Sequence, residues 1–430
     1  MRVGSAKVVI TPPLGTGLAG FAARTDGARG VHDDLYVRAL VLDGGGRAAL
    51  ILCDLCELDA AVVERIRRRI DQSPGIPAAS VMVAAIHTHA APATFGLYSS
   101  PPDAQWLERF ERAAASATVQ ACESLGPATI AVAHGREASI GHNRRRPDGP
   151  TDPTVTVVRC ERTAAGPASL IQYACHPTVL GPDNLLISRD YPGFTVDAVE
   201  RVTGGWSAFA NGACGDINVG HSAGRTALGL PMPGRTFERA EALGLRLAIE
   251  AVRALRDARP VEGRVAARRR TVTVPLRAIS EQEVRSQTTA CRRRVEALAA
   301  SGAGDDALAE ARLELFYAEA ALEWAECHPR PSEAAEVQAL AAGDLALIAL
   351  PGEFFAESGV RLRNRSPFLH TVVTGYANGG LGYVPPASAF DEGGYETRLS
   401  PWSRVGPGAE GVIMEAAVQV LEELRGAVAT

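Results

Sequence analysis

Short apolar runs alternate with longer amphipathic runs over most of this chain, and this alternation restricts the fold more than any other feature. The run at residues 48–53 is typical of a buried strand, whereas the spacing of apolar residues over 104–124 is typical of a helix with one buried face. When strands and helices alternate along a chain, the helices cover the faces of a sheet. We therefore predict the α/β class, with mixed β-sheets covered by helices.

The same patterns give the expected bounds of the elements. The predicted strands cover residues 36–42, 48–53, 80–85, 129–133, 154–159, 170–175, 208–210, 264–274, 345–350 and 371–376. The predicted helices cover residues 60–71, 104–124, 236–257, 281–300, 306–326, 353–363 and 410–425. A stretch at 279–330 that is rich in Ala, Glu and Arg predicts a helical hairpin inserted into the α/β body. Without repeats or a long linker, residues 1–430 are expected to form one catalytic domain.

Composition argues against several classes of function. The formal net charge is −5, from 44 basic and 49 acidic residues, so we expect no nucleic-acid partner. No window approaches the roughly 18 consecutive apolar residues that span a membrane. Lys7 is the only lysine, which argues against Schiff-base chemistry and against a phosphate-binding lysine of the Walker type. A small-molecule substrate is expected, and the sequence leaves the oligomeric state open.

Cysteine usage and the N-terminal residues bear on the compartment. The eight cysteines are scattered through apolar segments, and only Cys53 and Cys56 form a C-x-x-C spacing, so we predict reduced thiols in the core. The first residues lead directly into the strand-like run Val8-Val9-Ile10, without the apolar stretch of a secretory signal. The expected location is the cytoplasm.

Metal-binding residue types follow three of the predicted strands. His87 and His89 come after the strand at 80–85, and residues two apart in an extended segment point to the same side. His176 follows the strand at 170–175, and Glu353 follows the strand at 345–350 and opens the next predicted helix. In open α/β sheets, ligands bind at the carboxyl ends of strands. Two histidines and a glutamate are one standard set for catalytic zinc, so we predict one zinc ion per chain.

Two loops carry groups that could bind an anion, although plain surface loops remain the alternative. Arg144 lies in the loop His142–Pro147, and a guanidinium can bind a carboxylate or an oxyanion through two hydrogen bonds. The glycine-rich turn 211–218 follows the strand at 208–210, and such turns can present backbone N–H groups to developing negative charge.

A serine hydrolase is the competing interpretation. Gly220-His221-Ser222-Ala223-Gly224 matches the G-x-S-x-G pattern, with Asp344 or Asp391 and His370 as possible partners of Ser222. That motif requires a sharp turn directly between a strand and a helix. Here a loop separates Ser222 from the preceding strand, and two prolines follow it, so no helix is expected to begin at once.

The order of these motifs resembles the catalytic domain of the neutral, non-lysosomal ceramidases, which are zinc-dependent amidohydrolases. The resemblance runs from about Val8 to Glu396. It is carried by Ile10-Thr11-Pro12, Gly20-Phe21, His87-Thr88-His89-Ala90-Ala91-Pro92, Asn143-Arg144, His176, Ser188-Arg189-Asp190-Tyr191-Pro192-Gly193, Pro351-Gly352-Glu353-Phe354, Tyr383-Val384 and Tyr395-Glu396.

The resemblance implies a set of roles for single residues. The implied zinc ligands are His87, His176, Glu353 and Tyr383. The residues implied around the scissile carbonyl are His89, Arg144 and Tyr395. His89 or a nearby carboxylate would relay protons, and the other two would polarise the carbonyl or stabilise the oxyanion. Asn143, Asp216 and Asn218 are expected to bind substrate.

The sequence also departs from the pattern of this family. Asn218 stands where the family has a serine, and we expect neither its C-terminal immunoglobulin-like domain nor a signal peptide here. We therefore predict hydrolysis of a smaller, more polar amide than ceramide, by direct attack of a zinc-bound water. An ester or lactone hydrolase, or an acyl transferase using the same site, is the alternative within the metal interpretation.

Overall fold

Two β-sheets pack face to face in this chain, and helices cover the outer face of each. The computed structural model describes residues 1–96, 101–163, 165–327 and 330–429. The larger sheet contains nine strands and the smaller one four. The predicted α/β class with mixed sheets is confirmed.

The elements are named in chain order. The strands are β1 (Arg2–Val9), β2 (Gly30–Val31), β3 (Tyr36–Asp43), β4 (Arg47–Cys53), β5 (Val81–Ala85), β6 (Gly126–Arg136), β7 (His142–Asn143), β8 (Thr154–Arg162), β9 (Ala168–Tyr173), β10 (Leu186–Ile187), β11 (Trp206–Asn211), β12 (Ile217–Asn218), β13 (Arg259–Val261), β14 (Val265–Pro275), β15 (Ser332–Ala342), β16 (Leu345–Ala349), β17 (Glu353–Phe354), β18 (His370–Thr374) and β19 (Tyr383–Val384). The α-helices are α1 (Ala60–Gln72), α2 (Ala104–Glu123), α3 (Asp190–Thr203), α4 (Ala223–Ala227), α5 (Phe237–Ala254), α6 (Glu281–Ala300), α7 (Asp305–Cys327), α8 (Ala356–Arg365), α9 (Ala387–Glu392) and α10 (Ala409–Ala429).

The larger sheet is mixed. Its strand order is β11-β9-β8-β6-β1-β3-β4-β5, with β13 paired to β6, and the β11–β9 and β4–β5 pairs are parallel. Alternate residues of a strand face opposite sides of a sheet. In β3, Val37 and Val41 accordingly lie in the core under α1 and α2, whereas Leu40 lies in the core between the two sheets.

The smaller sheet has the order β14-β15-β16-β18, with only the β16–β18 pair parallel. Leu340 and Leu347 of this sheet meet the inner face of the larger one, and residues such as Ile348 pack under α10 on the outer face. The predicted helical hairpin is present as α6 and α7. Pro275 at the end of β14 is paired with Ser332 at the start of β15, so the hairpin is inserted at the connection of an antiparallel strand pair.

Some local predictions are wrong. Glu353 does not open a helix: it forms the short strand β17, and α8 begins at Ala356. A helix does begin directly after Ser222, because this residue caps α4 through its hydroxyl oxygen. The sequence prediction also left out β15 and α3, and it recognised only the end of β1.

Two further findings concern the described residues as a whole. No helix among them is both long enough and apolar enough to cross a membrane. Cys53 and Cys56 are buried free thiols, as predicted, whereas the free thiols Cys122 and Cys291 are only partly buried. The division of the chain into domains stays a prediction.

Candidate metal-binding active site

Three buried ligand atoms converge where strands of the two sheets end. His87 follows β5, His176 follows β9, and Glu353 lies just beyond β16. The Nε2 atom of His176 lies 3.0 Å from Oε2 of Glu353, and Nε2 of His87 lies 3.5 Å from the same oxygen. The bridge between Ala84 and Ala377 joins the edges of the two sheets here. The structure therefore brings together three of the four residues expected to hold a metal, from strands far apart in the chain.

Backbone carbonyl groups hold both histidine rings in one orientation. Nδ1 of His87 donates to the carbonyl oxygen of Cys56 at 2.7 Å, and Nδ1 of His176 donates to that of Cys214 at 2.8 Å. A protonated Nδ1 leaves the lone pair on Nε2, which points at Glu353 in each case. Such hydrogen bonds are typical of histidines that bind metals.

The protonation states also suit a metal. Burial and the nearby Arg144 lower the pKa of His176 to about 4, so its ring is neutral at pH 7. Burial alone would raise the pKa of Glu353, but His87 and His176 outweigh it and hold this pKa below its ordinary value. Neutral imidazole and ionised carboxylate are the forms that bind metal ions. The donor set therefore fits a divalent ion of the zinc type.

Tyr383 stands beside this cluster because of strand pairing. It lies directly opposite Glu353 in the parallel β17–β19 pair. Its hydroxyl oxygen accepts a hydrogen bond of 3.0 Å from Nη2 of Arg144. The fourth expected ligand is thus placed next to the carboxylate, with its side chain buried.

Arg144 is fixed by several partners. Its Nη2 donates to the carbonyl of Gly215 at 2.6 Å, and its Nε donates to Oε1 of Glu396 at 2.8 Å. The guanidinium lies 5.4 Å from the ring centre of Tyr395, which packs against Tyr383. Both partners of the Arg144–Glu396 ion pair have at least nine-tenths of their side-chain surface buried. The two residues expected at the carbonyl, Arg144 and Tyr395, are therefore adjacent.

His89 lies on the open side of the cluster. Its Nε2 is 3.1 Å from Nε2 of His87, and its Nδ1 has no hydrogen-bond partner within the described residues. Burial and the neighbouring His87 and His176 lower the pKa of His89 well below its ordinary value. Gly20, with φ of +102°, permits this position, because a Cβ there would lie 2.4 Å from the ring of His89.

The three residues expected to bind substrate mostly bond to the chain itself. Nδ2 of Asn143 donates to Oδ2 of Asp216 at 2.8 Å, and Oδ1 of Asp216 accepts from the backbone of Ala356 at the start of α8. Asn218 bonds to the backbone of Gly220 and His221, although it also lines a small cavity beside His89. In this arrangement the three side chains support the loops around the site.

The residues of the serine interpretation do not come together in the described part of the chain. Ser222 is exposed, and its hydroxyl accepts only from the amide of Arg225. Nδ1 of His370 instead lies 2.9 Å from Nε2 of His134, and Asp344 forms an ion pair with Arg425. No histidine activates Ser222 in this arrangement.

Two cavities adjoin the cluster. The outer one has a volume of about 540 Å³ and includes Arg144, Ser222 and Tyr395 in its wall. The inner one, about 30 Å³, is bounded by His89 and Tyr383 and shares Arg144 and Tyr395 with the outer cavity. Arg144 and Tyr395 thus border both cavities, whereas His89 borders only the smaller one.

Sequence reasoning assigned no role to two buried glutamates. Glu396 binds Arg144 and also Nη1 of Arg145 at 2.8 Å, so it fixes both arginines. Glu57 is buried near the cluster, and burial and the nearby Glu353 raise its pKa to about 7. Its position just after Cys56 and the strand end was the only available signal. Glu396 belongs to the Tyr395-Glu396 motif of the resemblance, which assigned a role only to its tyrosine.

Comparison with known proteins finds relatives of similar sequence and fold. The chain is 26% identical to the neutral ceramidase of Mycobacterium tuberculosis (strain ATCC 25618 / H37Rv), over 88% of this chain and 70% of that protein. Its fold matches a solved structure described as ceramidase complexed with C2, with a TM-score of 0.77 and 20% identity over 99% of this chain and 75% of the other. It also matches the neutral ceramidase from Pseudomonas aeruginosa, with a TM-score of 0.77 and 21% identity over 99% and 74%.

The family comparison covers most of the chain. Residues 1–313 match the family described as neutral/alkaline non-lysosomal ceramidase, N-terminal. This family consists of hydrolases that act on amide bonds. The chain belongs to the neutral/alkaline non-lysosomal ceramidase family.

Proposed function

We propose that this protein is a zinc-dependent hydrolase that cleaves the amide bond of a small or polar N-acyl substrate. The observation that carries the proposal is the convergence of His87, His176 and Glu353, whose ligand atoms all lie within 4.8 Å of one another. Together with Tyr383 these residues would hold one zinc ion. Bound zinc supplies Lewis acidity, which polarises a carbonyl and lowers the pKa of water to about 7.

The remaining chemistry belongs to side chains around the cluster. Hydrolysis adds a hydroxyl group to the carbonyl carbon and a proton to the departing nitrogen. Arg144 and Tyr395 would stabilise the negative charge that develops on the carbonyl oxygen, because both border the inner cavity. His89, with its unpartnered Nδ1, would carry the proton to the nitrogen.

The proposed substrate is more polar than ceramide, the amide after which the relatives are named. The wall of the outer cavity includes four arginines and two glutamates, whereas Leu313 is its only large aliphatic residue in the described part of the chain. A long alkyl chain would gain little by entering such a space, since hydrophobic stabilisation follows the apolar area removed from water.

Metal content and amide hydrolysis of matched variants test the proposal. His176→Ala and Glu353→Gln should lose both zinc and activity, because a site with one ligand fewer binds metal far more weakly. His134→Ala is the control, since this histidine pairs with His370 away from the cluster. The measurement is zinc per chain by mass spectrometry of protein purified without added metal, with hydrolysis followed on a panel of N-acyl compounds.

The outcomes separate the competing mechanisms. Full zinc occupancy in both ligand variants would overturn the assignment of the site. Ser222→Ala should keep most of its activity, because its hydroxyl caps α4 and has no histidine partner. Stoichiometric labelling of Ser222 by a phosphonate reagent would favour the serine hydrolase instead.

A further inference from the structure

The helical hairpin forms one wall of the outer cavity. Leu313 and Tyr317 of α7 line it, opposite the loop that carries Arg144. The ring of Tyr317 packs edge-on against that of Tyr395, with centres 5.8 Å apart, and Tyr395 packs in the same way on Tyr383 at 5.6 Å. A continuous row of three aromatic rings therefore leads from the metal cluster outward to the hairpin.

Positive charge exceeds negative charge in this cavity. Arg144 is bound to Glu396, and Arg145 is bound to Glu396 and to the backbone of Gly393. The other two arginines of the wall, Arg146 and Arg398, make no such close ion pair in the described part of the chain. The guanidinium of Arg398 makes no ion pair within the described residues, and that of Arg146 is 3.8 Å from its nearest carboxylate with 59% of the side chain exposed.

A buried hydroxyl group lies beside one of these arginines. Tyr317 is 95% buried as a residue, and its hydroxyl has no hydrogen-bond partner in the described part of the chain. Arg398 stacks on the same ring, with its guanidinium carbon 4.6 Å from the ring centre. A buried hydroxyl without a partner costs free energy, and such groups are normally satisfied by a ligand or by water.

We infer that the amide substrate carries an oxyanion, such as a carboxylate, which binds Arg398 and Arg146 with the Tyr317 hydroxyl as a further donor. This inference rests on the proposed amide hydrolysis and names the class of its substrate. Guanidinium groups recognise planar oxyanions through two parallel hydrogen bonds. The aromatic row sets the distance, because the anion is held two ring contacts away from Tyr383, at the far end of the substrate from the bond that is cleaved.

Pairs of isosteric compounds test the inference on the zinc-loaded protein. Glutaryl and adipoyl p-nitroanilides carry the carboxylate on the acyl side, and N-acyl amino acids carry it on the amine side. Each is compared with the carboxamide of the same shape, and a phosphonate of similar length distinguishes carboxylate from phosphate-like anions. In at least one series, kcat/KM for the anion should exceed that for the carboxamide by about tenfold or more.

Variants of the cavity locate the preference. Arg398→Gln should reduce it to near unity, Arg146→Gln and Tyr317→Phe should reduce it in part, and zinc content should not change. Arg293→Gln is the matched control, because Arg293 is an exposed arginine of the same hairpin outside the cavity wall. Equal kcat/KM for anion and carboxamide in both series, or a preference that survives Arg398→Gln, would overturn the inference.

Equilibrium binding separates this inference from the proposed function. If none of these amides is hydrolysed, the proposed function fails, and calorimetric titration of the same compounds still decides the inference. At least about tenfold tighter binding of the carboxylates, lost in Arg398→Gln, supports it. A carboxylate that bound the metal instead would bind equally well to the variant, and that result counts against the anion site.

Discussion

Two residues that border both cavities, Arg144 and Tyr395, are proposed to stabilise the charge that develops on the substrate. Arg144→Ala and Tyr395→Phe should keep the metal, because neither side chain belongs to the group of His87, His176 and Glu353. Removing one donor to an oxyanion typically lowers kcat by about 10²–10³. Steady-state kinetics and zinc analysis of both variants check this expectation, and a change in KM alone would show that these side chains contribute only to uniform binding.

Glu396 is a positioning residue for Arg144. Glu396→Gln should lower kcat by about ten- to hundredfold with zinc content unchanged, since it weakens the ion pair that fixes the guanidinium. Glu392→Gln is the matched control, because Glu392 is a half-exposed glutamate that contacts Arg145 at 3.3 Å. Equal effects of the two substitutions on kcat would show that the loss reflects general charge balance and not the position of Arg144.

Strand ends made His87, His176 and Glu353 predictable as a group, because residue type and position pointed to the same edge of a sheet. Tyr383 came only through the family resemblance, since a tyrosine in an apolar run has no spacing that marks it as a ligand. The partners of Arg144 could not be predicted from the sequence. The sequence separation between Arg144 and Glu396 is 252 residues, and no local pattern predicts such a pair.

The inserted hairpin is the element most open to experiment. Pro275 and Ser332 remain paired at the base of β14 and β15, so an Asn-Gly turn in place of residues 278–329 should close the strand pair directly. The shortened protein should fold and bind zinc, with a lower Tm from the loss of buried Trp324 and Ala320.

The shortened protein should also discriminate less strongly between anionic and neutral amides, since Tyr317 leaves with the hairpin while Arg398 and Arg146 remain. Circular dichroism, zinc analysis and the paired substrates measure these effects. Failure to reach a folded state would show that the hairpin is required for the core of the smaller sheet.

The structure explains why the sequence did not predict some of the helices and strands. Pro192 and Gly193 argue against a helix in sequence, yet they lie in the first turn of α3, where proline is tolerated because its missing N–H would have no helical partner. Glu353 is extended because its partner in β19 is Tyr383, and strand pairing between distant segments overrides local helix preference. The long helices α2 and α6 matched their expected bounds closely.

The whole molecule should show a pH-dependent stability from Asp54. Burial raises the pKa of this carboxyl from 3.8 to about 6, despite the nearby Arg38 and Arg189. The folded state then binds more protons than the unfolded state between these values, so Asp54 lowers the free energy of unfolding as pH rises from about 4 to about 6, by at most about 3 kcal/mol.

Asp54→Asn removes this dependence. The free energy of unfolding of the variant, relative to that of the native protein, should therefore be higher at pH 7 than at pH 4.5. Urea unfolding at the two pH values checks the prediction, with the exposed Asp71→Asn as control. A difference in unfolding free energy between variant and native protein that is independent of pH would contradict it.

At the scale of the whole molecule, the sequence predicted that helices cover a β-sheet but not that there are two sheets. Alternation of strands and helices indicates that helices cover a sheet, and this was confirmed. It does not assign strands to two sheets, because Leu40 and Leu340 have the same apolar character whichever face they meet. Which strands pair depends on contacts between distant residues.

The location of the cluster at the edge where both sheets meet has a mechanical consequence. His87 and His176 extend from the larger sheet, and Glu353 follows a strand of the smaller one, so an ion bound to all three cross-links the sheets without a covalent bond. Binding to the folded state alone adds to the free energy of unfolding, by about 4 kcal/mol at a thousandfold excess over Kd. Chelation should lower the Tm of the native protein but not that of Glu353→Gln. Thermal stability would then report occupancy of the site before any substrate is known.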